Sequence, residues 1–157
     1  MTAVDPFDLA RFRAAQDRPH GGFEAAMAEL RAGRKVTHWI WWVFPQVRGL
    51  GSSSVSERFA VEGLDEAVAY LADPVLQPRY AEAVAVVRGQ VAAGVPVPVL
   101  MGSRLDAMKL VSSLTLFAAA MRARKGEAGV LERDIAAVLD DAAAQGFTPC
   151  RATLAAI

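Results

Sequence analysis

At 157 residues and 54% apolar content, the chain has ample material for one packed core and reads as a single domain spanning residues 1–157. Its 17 basic residues balance 17 acidic ones, so no overall positive field draws it to a phosphate backbone or an anionic membrane, which argues against general nucleic-acid binding. The single cysteine, Cys150, cannot form an internal disulfide, and with only two separated histidines it makes no zinc-ligand pattern, so neither metal nor cofactor is expected.

The opening MTAVDPFDLARF carries early acids and no apolar core of a secretory signal. The longest apolar runs are short and broken by Lys109, Ser112 and Ser113, so no membrane span is predicted. The expectation is a cytoplasmic protein, monomeric by default.

The first helix is placed after Asp5 as N-cap, with Pro6 in the first position and Phe7, Leu9 and Phe12 as the apolar stripe; Arg18, Pro19 and Gly21 end it. Phe23, Met27 and Leu30 define a second, closed by Gly33. Residues 36–43 are rich in β-branched and aromatic side chains. An isolated strand there would lack a neighbouring partner, so the segment is read as a short helix ended by Pro45, which sets His38 and Trp42 on one face beside Trp41.

Ser54 and Glu57 form a capping box for a helix from Val55. Helices follow over Leu64–Leu71 and Tyr80–Val91, separated by Asp73 and Pro74. The run VPVPVL alternates as an extended segment would, but its two prolines bar it from a central strand. Ser103 and Asp106 then open a long helix through Leu105, Met108, Val111, Leu114 and Leu116 to a basic end at Arg122, Arg124 and Lys125. Leu131, Ile135, Val138 and Leu139 mark the final helix, closing near Gln145 and Gly146. The fold class is all-α, with about six to eight helices.

Three tryptophans, one histidine and a Gly/Ser-rich loop fall together in KVTHWIWWVFPQVRGLGSSS, residues 35–54. That string, followed by LDEAVAYLADPVLQPRY and later MGSRLDAMKLVSSLTLFAA, resembles domain-of-unknown-function family 1810. The likeness runs from Asp5 to Ala120, and the HW-x-W-x-x-FPQ-x-x-GLG-x-S pattern is long and rich in rare residues. The resemblance implies a compact all-α fold and no established activity. Some members carry a calpastatin label, but a calpain inhibitor of that type is a disordered polar chain, whereas this one is apolar and helical.

The candidate site residues are His38, Trp41, Trp42, Gln46, Arg48, Ser52, Ser53, Arg58, Lys109, Ser112 and Ser113. Between Arg34 and Arg58 four basic residues face one acid, Glu57, a regional excess in a neutral chain. Arginine forks suit phosphate or carboxylate, and indole faces can stack a flat ring. The Gly/Ser loop before a helix N-terminus is a possible anion cradle, although capping alone also accounts for its serines. His38 has the chemistry of a general acid or base, but no carboxylate or nucleophile stands at a spacing that builds a catalytic set, and a core histidine is the plainer alternative. Lys109, Ser112 and Ser113 share one helix face and are expected to form a second wall opposite the tryptophans, with Lys109 and Arg48 receiving an anion; close helix packing explains the same serines.

Two functions follow. One is a pocket for a small anionic or nucleotide-like ligand, such as an ADP-ribose derivative; the other is a protein–protein interaction module without catalytic activity, docking through the same rings.

Overall fold

Apolar positions at helical spacing dominate the chain, and the structure, a computed structural model that describes residues 4–124 and 129–157, answers with helices throughout and no strand among the described residues. Lys125 of the expected basic helix end lies outside them. The elements are α1 (Ala10–Gln16), α2 (Phe23–Arg31), α3 (Ile40–Val43), α4 (Ser54–Arg58), α5 (Leu64–Ala72), α6 (Leu76–Ala92), α7 (Val97–Leu100), α8 (Arg104–Ala123), α9 (Val130–Ala144) and α10 (Arg151–Ala155).

Ten described helices exceed the expected six to eight. The elements without a predicted counterpart are α7 and α10, of four and five residues, too short to show a 3.6-residue period.

The long α8 is the axis. Leu110, Leu114, Leu116, Phe117 and Ala120 are fully buried on it, and α3, α5, α7, α9 and α10 pack around it, while α6 lies against α9, α2 and α5. A polar start fits this burial: the Ser103 hydroxyl accepts the Asp106 N–H at 3.0 Å, satisfying one of the orphan donors of the first turn. A cluster of Phe12, Tyr70, Tyr80 and Phe117, with centroids 4.4–6.1 Å apart, fills the centre.

Several expected boundaries move, each for a local reason. Helix α1 begins at Ala10 rather than after Asp5, because Asp8 takes φ +53 and interrupts the turn. Asp5 still serves the helix: its carboxylate accepts the N–H groups of Leu9 at 2.8 Å and Ala10 at 3.0 Å. At α4 the cap is Ser53, whose hydroxyl accepts the Ser56 N–H at 3.1 Å, one residue before the expected Ser54–Glu57 box.

The VPVPVL run is not extended. It closes the single-turn α7, where the Pro96 carbonyl accepts Val99 and Leu100 N–H and Pro98 sits in the first turn, where no N–H is needed. Nor is α9 the last helix. After Gly146, at φ +92, Phe147 returns to the core and α10 docks on α8 through Thr153.

The expected helix over 36–43 shrinks to Ile40–Val43. The Glu29 carboxylate takes the N–H groups of Val36 and Thr37 and the Thr37 hydroxyl, so residues 36–39 are held as a strap rather than a helical turn. His38 therefore lies outside α3.

Candidate functional site

The strap and α3 carry the aromatic block inward. Trp39 is fully buried and donates its indole N–H to Glu29 at 3.2 Å. Lys35 folds beneath it, donating from Nζ to the Thr37 carbonyl at 2.6 Å, pairing with Asp106 at 2.8 Å and lying 5.0 Å from the Trp39 ring centroid. Burial pushes the Glu29 carboxyl upward, but the bonds from Thr37, Val36 and Trp39 outweigh it and hold the group below its usual range. This half of the block is a structural wedge.

The other half lies at the edge of the core, with Trp42 and Phe59 buried and Trp41 partly exposed. Trp42 donates its indole N–H to the Gly21 carbonyl at 2.9 Å and lies 5.9 Å from Trp41 and 5.2 Å from Phe59, centroid to centroid. Around these rings opens a concavity of about 650 Å³ lined by Arg18, His38, Trp41, Trp42, Val55, Arg58 and Phe59. The Arg18 guanidinium stands 5.0 Å from the Trp42 centroid and that of Arg58 5.6 Å from Phe59. No acid lines the cleft, and among the described residues neither arginine meets a carboxylate within ion-pair distance.

The expected residues thus divide. His38, Trp41, Trp42 and Arg58 come together in the cleft. Gln46 is buried and donates to the Phe44 carbonyl at 2.7 Å. Arg48 reaches Glu62 through Nε at 2.7 Å and Nη2 at 2.6 Å; the Glu62 bond pushes the guanidinium further up, and Arg48 in turn lowers the Glu62 carboxyl. Both Gln46 and Arg48 border a gap of about 20 Å³ beside Trp41 and Gly49–Gly51, room for roughly one water. Ser53 caps α4, and Ser52 lines neither space.

The second wall does not form. Ser112 and Ser113 are buried, their hydroxyls engaged with Thr153 at 2.7 Å and Tyr80 at 3.1 Å, and Thr115 bonds the Val111 carbonyl one turn back at 2.7 Å. Only Lys109 reaches the aromatic block, 5.2 Å from the Trp41 centroid and 3.6 Å from Asp106. Arg18, Val55 and Phe59 are the cleft residues that the expected set did not include; all three reach it from sequence positions outside residues 35–54, and only the docking of the α1–α2 loop and of α4 brings them in.

Chemically, the cleft offers aromatic faces, two cationic forks and an imidazole, with no Ser, Cys, Asp or Glu on its lining. Among the described residues no cluster of three or more His, Cys, Asp or Glu could hold a metal ion, and no helix is long and apolar enough to cross a membrane.

The whole architecture has a solved counterpart. The chain is similar to the crystal structure of the conserved hypothetical protein Rv1873 from Mycobacterium tuberculosis, with 41% identity, 96% of each chain covered and a TM-score of 0.80. No curated protein matches it. The family model described as protein of unknown function (DUF1810) matches residues 6–146, and the chain belongs to that family.

Proposed function

We propose that the cleft between the α1–α2 loop, the strap and α4 binds a small anionic ligand that carries a flat ring, as a nucleotide does. The observation that carries this reading is the pairing of two arginines that face no carboxylate with an indole and phenyl floor in one concavity. Arg48, the arginine of the aromatic block itself, is by contrast neutralised by Glu62, so within this region the forks without a counter-charge are those of Arg18 and Arg58. Stacking fixes the ring, the guanidinium edges meet the anion, and His38 adds a donor.

The guanidinium groups of Arg18 and Arg58 beside the rings favour a charged small molecule over a protein partner docking on an apolar face. The absence of a nucleophile or acid on the lining favours binding over hydrolysis by the chain's own side chains.

A thermal-shift screen over nucleotides, sugar phosphates and carboxylates tests it, run on the native protein and on Arg58→Ala. A ligand at a hundred times its dissociation constant adds about 2.7 kcal/mol to stability, and Arg58→Ala removes that gain. Absence of any shift across the panel overturns the reading.

A further inference from the structure

We infer that the anion taken by the cleft is a terminal phosphate, a phosphate monoester clamped between Arg18 and Arg58; this rests on the reading of the cleft as a small-molecule site. The geometry of the two cations is the argument. Each guanidinium lies near an aromatic face, Arg18 near Trp42 and Arg58 near Phe59. Such contact uses the face of the cation and leaves its N–H edges free to donate.

The two rings are adjacent, with centroids 5.2 Å apart, and both cations beside them line the same space. A planar carboxylate offers two oxygens in one plane, which one fork satisfies. A phosphate monoester offers three terminal oxygens in a tetrahedral array and close to two negative charges, and so can answer two forks at once. A phosphodiester has one charge and two terminal oxygens, and fills the pair less well.

The clamp is also held in place before any ligand arrives. The Arg58 carbonyl accepts from Arg11 Nε at 2.9 Å and the Ala60 carbonyl from Arg11 Nη2 at 2.9 Å, while Arg11 pairs with buried Glu66 at 2.9 Å. On the opposite side the Arg18 N–H bonds the Ala15 carbonyl at 3.3 Å, and Gly22 approaches the Arg18 carbonyl so closely that a methyl group there would stand 2.1 Å from it. Both backbones are fixed, so binding orders only the arginine side chains.

Isothermal titration of the native protein with the four ribonucleoside 5′-monophosphates, the matched nucleosides, and 3′,5′-cyclic AMP tests the clamp. Binding of a 5′-monophosphate about tenfold or more tighter than its nucleoside and than the cyclic diester supports it, provided that Arg18→Ala and Arg58→Ala each erase that difference. Both side chains are exposed, so the variants keep the fold, which circular dichroism verifies. Equal affinity for nucleoside, cyclic diester and monophosphate, or a preference that survives either substitution, overturns the clamp and leaves the small-molecule site standing. No binding by any member up to about 5 mM overturns both.

Discussion

Lys35 and Asp106 form an ion pair at 2.8 Å in which the lysine is 5% exposed and the aspartate 16%. The pair ties the strap to the first turn of α8, and Asp106 also faces Lys109 at 3.6 Å. Removing the shared acid leaves a buried ammonium without its counter-charge, so Asp106→Ala is expected to cost about 3 kcal/mol. Lys109→Ala, which deletes the outer, partly exposed contact with Asp106 and the one with the Trp41 ring, should cost about 1 kcal/mol or less. Urea unfolding of the two variants checks the order; equal losses would show that the Lys35 pair is not the dominant tie.

Glu29 supplies a pH dependence. Its folded carboxyl is held below the ordinary value of 4.5 by bonds that outweigh its burial. A depressed folded value means stabilisation that is present in full above the unfolded value and lost as pH falls through the folded one. Glu29→Gln is therefore expected to lower stability by about 1–2 kcal/mol at pH 7. The gap between variant and native protein should narrow as pH drops below 4.5, the ordinary carboxyl value, a trend read from melting curves taken across that range.

Space rather than backbone conformation makes Gly22 obligatory. A Cβ there would stand 2.1 Å from the Arg18 carbonyl oxygen and 2.7 Å from that of Gln16, both main-chain atoms that cannot swing aside. Gly22→Ala is expected to destabilise by about 2–3 kcal/mol and to shift Arg18 away from Trp42. Gly49→Ala meets no crowding but sits at φ +102, and its cost of about 1 kcal/mol reflects that left-handed backbone alone.

Arg48 and Arg58 separate the expected site from the proposed one. Arg48, paired with Glu62, should give an alanine variant with stability within about 1 kcal/mol of native and unchanged affinity for any ligand of the cleft. Arg58→Ala should keep the fold and lose that affinity. Parallel titrations decide; a reversed pattern would relocate the site to the narrow side of Trp41.

Ser113→Ala should leave ligand affinity untouched yet cost about 1–3 kcal/mol, because the Tyr80 hydroxyl, fully buried, would lose its bond at 3.1 Å. Thermal unfolding and titration on the same sample separate the two effects.

The long helices were legible because burial repeats at helical spacing: Phe23, Met27 and Leu30 on α2, and Val111, Leu114 and Leu116 on α8, are core positions in the fold as in the pattern, whereas Leu105 and Met108 of the expected stripe are exposed on the first turns of α8. What the pattern could not carry was decided by contacts remote in sequence. Glu29 unwinds the strap seven to ten positions downstream, and nothing around His38 records that. Ser112 and Ser113 looked like one wall of a pocket because their hydroxyls need partners; those partners turned out to be Thr153 and Tyr80, 41 and 33 positions away. Arg18 read as a helix stop, and only the turn that brings Gly21 against Trp42 makes it part of the cleft. Aromatic clustering pointed to the region of the proposed cleft; charge pairing, which is a property of the folded surface, separates Arg48 from Arg18 and Arg58.

The three indoles live in three dissimilar surroundings: Trp39 sealed beside a carboxylate, Trp42 bonded to a carbonyl under a guanidinium, and Trp41 half open beneath an ammonium. The protein therefore carries its own optical gauges. A ligand in the proposed cleft would meet Trp41, the partly exposed ring, while Trp39, fully buried, should change its emission only when the core itself comes apart, so binding and unfolding are expected to be reported by different chromophores of the same chain.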